Sequence, residues 1–528
     1  MPLSDPTADA IARAYDTVPY DSRAFPQSHP ARSAALATLF GLNPPDVSTA
    51  RVLELGCAAG GNLSPLATAF PQATFLGVDL SAVQIAQGQA RIARLGLTNI
   101  TLRNQSILDL SAGHGVFDYI ICHGVYSWVP QPVRDAILRV ATQNLAQSGV
   151  AYISYNVNPG WRLRGVLREA MLFHCAGEAD PARKIASARH FLAQLAEITD
   201  PASAYGQLLR QEARMIATAE DTYLLHDHME INNEPCYVSE FLGAARTAGL
   251  AFLTEASIQM TIAETFGASN GQILRELSGN HLERMEQYID FLTGRTFRQT
   301  LLVRASQERA IVRTLAPKCV AGLHLQANLA LAEESDGSFV LRDPAGRTLT
   351  TSSPFVRDGL LALGARFPGS LPVDEITLAA SIAAEPRDTE PGAAAIESLH
   401  DSLLKMVLIG MAEITTLELS SRAALCDRHT AFPLARADAE AGMTWTTNLR
   451  HETVPLNIVQ QAVLPLLDGA HDTGALIAAL REKVREGRIV LQREGVPLTE
   501  EADIAASAIE HVDQALKGIA RASLLVAA

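Results

Sequence analysis

Lysine is nearly missing from this chain of 528 residues: five lysines stand against 38 arginines. Bases as a whole are also short, 43 against 57 acids, for a formal net charge of −14. Residues 1–200 carry 15 of each sign, so the whole excess of acid falls in 201–528. A protein that tracks nucleic acid needs a basic face to displace counterions from phosphates, so no nucleic-acid partner is expected. The preference for arginine reads as coding bias. Cysteine is sparse and scattered, at 57, 122, 175, 236, 319 and 426, with no C-x-x-C pair. That excludes a zinc ribbon and a disulfide frame, and no metal is expected. No apolar run reaches the roughly 18 residues that a membrane span needs. The first residues, MPLSDPTADAIARAYD, carry acids where a secretory signal needs a basic start and an apolar centre. A reduced, cytoplasmic protein without a membrane span is expected. Hydrophobic residues at 48% with 19% charged are ordinary for soluble domains, and the length implies three or four of them.

The chain is organised around residues 51–61, RVLELGCAAGG. A short apolar strand runs into a glycine turn, and Asn62-Leu63-Ser64-Pro65 opens a helix. Strand, glycine turn and helix form the first crossover of a doubly wound α/β sheet. The next strand, TFLGVDL (74–80), ends in Asp79, where a carboxylate can accept both hydroxyls of a ribose. The dinucleotide fingerprint G-x-G-x-x-G fails, because its three positions hold Gly56, Ala58 and Gly61. A triphosphate loop fails too, since no lysine follows Gly60 or Gly61. An acid on the first strand (Glu54) and one on the second (Asp79) suit a ligand with a ribose, a cationic amino-acid end and no phosphate. S-adenosylmethionine has that chemistry.

Further strands are expected at 100–106, 117–124, 149–156 and 250–258. Gln105, Ser106 and Ile107 end the third strand, where the adenine edge would lie. His123, Tyr126 and Trp128 cluster at the end of the fourth, and Tyr155, Asn156 and Asn158 at the end of the fifth. An aromatic N-terminal segment (1–40) reads as a flap, with Tyr20 or Phe25 covering the ligand, or as a strap on the sheet. Helical spacing from Gly160-Trp161 to about 219 reads as a cover inserted after the fifth strand, and 271–310 as further helix. His226, Asp227, His228 and Glu230 lack a further ligand at a suitable spacing and read as a solvated or capping cluster. The expected domains are the flap at 1–40, a core at 41–160, cover and closing elements at 161–310 (completing the sheet near 238–260), and winged-helix-like units at 311–420 and 421–528.

The motifs YDTVPYDSRAFPQSHPAR, ARVLELGCAAGGNL, FLGVDLSAVQIAQGQ, FDYIICHGVYSWVP and GVAYISYNVNPGW together resemble the bacterial class I methyltransferases that carry a methyltransferase regulatory domain. The rickettsial protein-lysine methyltransferases, which modify outer-membrane protein, are among them. HDHMEINNEPCYVSEF resembles the start of the regulatory domain, and beyond about 310 the likeness is one of layout. The resemblance implies a Rossmann-like methyltransferase domain followed by helical and winged-helix-like C-terminal domains. It implies cofactor contacts at Gly56, Cys57, Gly60, Asn62, Asp79, Leu80 and Gln84, with Ser106 and Ile107 on the adenine. Tyr20, Glu54 and His123 complete the expected cofactor set. His123, Tyr126, Trp128 and Tyr155 are the expected catalytic residues, lining the transfer mouth with His123 as candidate general base. The expected activity is methyl transfer to lysine of a protein, an outer-membrane or surface protein among the candidates. A small-molecule acceptor, a non-catalytic scaffold and a homodimer all stay open. If the acidic C-terminal half recruits the acceptor, removing 311–528 should weaken acceptor binding and spare the cofactor.

Overall fold

The computed structural model describes residues 22–221, 224–230, 232–383, 392–419, 421, 425–493 and 495–526. Seven strands form one mixed sheet in the order β3-β2-β1-β4-β5-β7-β6: β1 Arg51–Leu55, β2 Thr74–Asp79, β3 Ile100–Asn104, β4 Phe117–Cys122, β5 Leu145–Asn156, β6 Leu250–Glu255 and β7 Phe297–Arg304. Strands β1 to β5 pair in parallel, and β7 runs antiparallel between β5 and β6. Runs such as Val52-Leu53 bury both faces, as a sheet covered on both sides requires. Val52, Phe75, Leu102, Tyr152 and Val303 join one core with the helices Leu63–Ala69 and Ala82–Leu95. Leu53, Val78, Ile153, Tyr155 and Leu302 join the other, under the helices Gln131–Gln143 and Val238–Thr247. The helix Ala82–Leu95 starts where expected, with the Ser81 side chain accepting the Gln84 N–H at 3.2 Å.

One expected element is corrected. The stretch 271–310 is α-helical only as far as Thr293; Phe297–Arg304 is an inner strand of the sheet, and a short 3₁₀ helix, Ala305–Ala310, follows it. Its polar start, Arg298-Gln299-Thr300, hides the strand pattern. Arg298 is wholly buried, and bonds to Glu255 (3.0 Å), Glu286 (2.8 Å) and Asp290 (2.9 Å) make that burial tolerable.

The helices Gly160–His174, Pro181–Ile198 and Ala204–Thr218 pack on one another as a separate small cluster between β5 and β6. The described residues of 320–383 and 392–414 contribute to the first core with the sheet. Beyond them the helices Pro433–Glu440, Ile458–Val463, Thr473–Arg485 and Glu501–Arg521 surround their own core, with the strand pair Trp445–Thr447 and Thr453–Pro455 at its edge. These elements form a C-terminal domain of their own. It docks on the sheet domain through Arg91, whose guanidinium meets the buried Asp438 at 2.9 Å. No helix among the described residues is long and apolar enough to cross a membrane.

Candidate active site

A cavity of about 470 Å³ opens at the carboxyl ends of β1 and β4, the point where the strand order reverses. The turn after β1 shapes its floor. Gly56 has φ of +74°, and a Cβ there would lie 2.4 Å from Val125 Cγ2, so only glycine lets the turn and the β4 loop meet. The Asp79 carboxylate ties that turn to the next helix, accepting the Ala58 N–H at 2.8 Å and the Ser81 N–H at 2.9 Å.

Glu54 lies beneath, 3% exposed. Its Oε1 accepts from Asn62 Nδ2 at 2.8 Å, while Oε2 is buried without a hydrogen-bond partner among the described residues. Burial pushes this carboxyl up to about 8, against the Asn62 hydrogen bond and with help from Asp79. A buried carboxylate oxygen without a partner suits an ammonium group. Gln84 Oε1, also at the cavity wall, is buried and lacks a partner among the described residues. Gln105, Ser106, Ile107 and Leu108 form the far wall, where the Ser106 hydroxyl accepts the Leu108 N–H at 3.2 Å and shapes the turn.

The mouth is aromatic. His123 stacks on Phe25 with ring centroids 3.7 Å apart and meets the Tyr152 hydroxyl through Nδ1 at 2.8 Å. Trp128 meets Trp161 edge to face at 6.1 Å. Asn156, Thr296 and Phe297 complete the wall, with Arg164 at the rim, 3.5 Å from Glu212.

Of the expected residues, Glu54, Gly56, Cys57, Asn62, Asp79, Leu80, Gln84, Ser106, Ile107, His123 and Trp128 line this cavity. Gly60 sits behind the turn, facing Leu102. Tyr20 lies outside the described residues, and Phe25 covers the cavity beside it in the chain. Two expectations at the mouth are corrected. Along β5 side chains alternate between faces, so Tyr152 reaches His123 and Asn156 lines the cavity while Tyr155 turns to the opposite core. There it stacks on Phe241 at 3.9 Å. Tyr126 leaves the 3₁₀ turn in the same direction and meets Phe241 at 5.2 Å. His123 also fails as a general base: burial pushes it down to about 3, far too weak to take a proton from an amine near neutral pH. Its role at the mouth is that of an uncharged ring.

Trp161, Arg164, Thr296 and Phe297 were not singled out as site residues. Trp161 and Arg164 open the covering helix, and the last two depend on β7, whose polar start concealed it. Among the described residues no group of His, Cys, Asp and Glu is placed to hold a metal ion.

Three family models match the chain: a methyltransferase domain at 52–149, a "Predicted methyltransferase regulatory domain" at 220–304, and a "PKMT, C-terminal winged helix domain" at 427–524. The protein RP789 of Rickettsia prowazekii (strain Madrid E) is 34% identical over 503 residues, which cover 93% of this chain and 89% of its own. The solved structure of PKMT2 from Rickettsia typhi superposes with a TM-score of 0.86 at 26% identity, over 96% of this chain and all of that one. The same protein in complex with AdoHcy gives 0.85 at 27% identity and equal coverage.

Proposed function

Because the chain belongs to the bacterial class I S-adenosylmethionine-dependent methyltransferases that carry a methyltransferase regulatory domain, we propose that its acceptor is a lysine side chain of a protein. S-adenosylmethionine is the cofactor, and it supplies an electrophilic methyl group on a positively charged sulfur. The cavity fits it: a turn without a phosphate-binding lysine, an acid at each of two strand ends, and the orphaned oxygen of Glu54. Asp79 would accept the ribose hydroxyls, Glu54 the amino end, and residues 105–108 the adenine.

A lysine must be neutral to attack. At an ordinary pKa of about 10.4, losing its proton at pH 7 costs about 4.6 kcal/mol. The observation that carries the lysine reading is the mouth itself. Trp128, Trp161, Phe297 and the neutral His123 strip water from an entering amine. Desolvation lowers an amine's pKa, so this chain favours the neutral nucleophile by environment, with the proton leaving to solvent. The mouth then aligns nucleophile and methyl at a near-attack distance of about 3–3.5 Å. The acidic excess of residues 201–528 supports a lysine-rich protein partner. The likeness to the rickettsial protein-lysine methyltransferases supports the same reading. The test is mass spectrometry of proteins and metabolites after incubation of a lysate with cofactor carrying an isotopically labelled methyl group. Label on lysine is expected; label confined to small molecules, or no transfer by an enzyme that binds cofactor, would overturn the proposal.

A further inference from the structure

Asn62 is held partly from outside the methyltransferase core. Its Nδ2 donates to Glu54 Oε1 at 2.8 Å and to Ser28 Oγ at 3.0 Å; its Oδ1 accepts the Phe25 N–H at 3.0 Å and meets His451 Nε2 at 2.7 Å. The Phe25 amide can only donate, which fixes the orientation of the Asn62 amide and requires the Nε2–H form of His451. Ser28 turns its own hydroxyl proton to the Phe25 carbonyl at 2.9 Å. All four hydrogen-bonding positions of the Asn62 amide are thereby used.

His451 belongs to the winged helix domain, 389 residues along the chain from Asn62. It occupies the turn between the strands Trp445–Thr447 and Thr453–Pro455, is 2% exposed, and has φ of +63°. Few residues other than glycine adopt that conformation, and it persists where the surroundings enforce it. Here Asn448 enforces it: its Oδ1 accepts the N–H groups of Arg450 and Glu452, both at 2.9 Å, and its Nδ2 donates to the Ala522 carbonyl at 2.9 Å. The same hairpin touches the cavity a second time. Trp445 lies 5.5 Å from the guanidinium of Arg23, which lines the cavity wall.

We propose that His451 is a positioning residue of the cofactor site: it locks Asn62, Asn62 sets Glu54 for the amino end of S-adenosylmethionine, and the winged helix domain thereby completes the site. The proposal rests on the reading of the cavity as the cofactor site. It reverses the expectation that removing the C-terminal half spares the cofactor. Burial and the nearby His29 hold His451 well below its ordinary range, so it stays neutral and its single N–H is committed to Asn62.

Calorimetry on the full chain tests this with two variants. His451→Asn keeps a residue that tolerates the left-handed backbone but is too short to reach Asn62. His451→Gln restores an amide N–H at a similar reach. His451→Asn should weaken S-adenosylmethionine and AdoHcy binding about tenfold. It should also raise the pH midpoint of binding, because Glu54 loses its ordered hydrogen bond. His451→Gln should stay within threefold of wild type. Wild-type affinity in His451→Asn, or equal losses in both variants with an unmoved pH midpoint, would overturn the proposal. Hydrogen exchange on the wild-type protein needs no variant: AdoHcy should slow exchange across 445–455, since coupling between two sites is reciprocal, and unchanged exchange there would overturn it too. If the wild-type protein binds neither compound, the cavity reading itself fails, which separates that failure from the failure of His451 alone.

Discussion

Binding of S-adenosylmethionine should expel a proton from Glu54. The carboxyl is 3% exposed and stands at about 8, raised from 4.5 by burial. At pH 7 roughly nine in ten unliganded molecules therefore hold it protonated. An ammonium seated on Oε2 needs the carboxylate, so each pH unit below 8 weakens binding by about 1.4 kcal/mol. The dissociation constant should fall nearly tenfold between pH 6 and pH 7. Calorimetry at pH 7 in two buffers of different ionisation enthalpy should count close to one proton released per site. Stability runs the opposite way. The raised carboxyl favours folding in its neutral form, so the unliganded protein loses stability as pH rises from about 4.5 towards 8. That loss reaches about 3 kcal/mol by pH 7. Glu54→Gln should bind the cofactor more weakly, release no proton, and escape that loss in a pH series of thermal melts. Identical binding enthalpies in both buffers, with a dissociation constant flat from pH 6 to 7, would refute the pairing.

Three further outcomes are expected. Asp79→Ala should cost cofactor binding at least one charge-assisted hydrogen bond per ribose hydroxyl, about 1.5–3 kcal/mol each; unchanged affinity by calorimetry would remove Asp79 from the site. It should also lower the melting temperature, because the Ala58 and Ser81 N–H groups lose their acceptor. Trp128→Ala should lower turnover of a protein acceptor by tenfold or more while cofactor affinity moves little, as steady-state kinetics beside calorimetry would show. Arg298→Met should destabilise the fold by roughly 3–5 kcal/mol in urea unfolding, since it strands Glu286 and Asp290 without their buried partner and leaves Glu255 with Arg295 alone.

The part of the cavity lined from β1 and β2 was legible because its residues are local in sequence. Glu54, Gly56 and Asn62 lie in one βα turn, and Asp79 ends the adjacent strand. The mouth was less legible. Tyr155 and Tyr152 differ by a register parity that only pairing settles, and the same parity brings Asn156 rather than Tyr155 to the cavity wall. Exposure was equally hidden: a histidine beside aromatics reads as a base until its burial shows it to be a neutral ring. Phe297 and Thr296 were concealed because a strand beginning Arg298-Gln299-Thr300 looks polar until Glu255, Glu286 and Asp290 converge on its arginine.

The sequence by itself determined the sheet's first crossover, the ligand class and the strand ends around the cavity. Each follows from glycine backbone freedom, apolar runs and acids at fixed offsets along the chain. Tertiary structure alone decided which aromatics face the ligand, how the buried charges are neutralised, and that a histidine near the C-terminus reaches Asn62. Those depend on contacts between residues far apart in sequence, and such pairing leaves no periodic or compositional trace in a single chain.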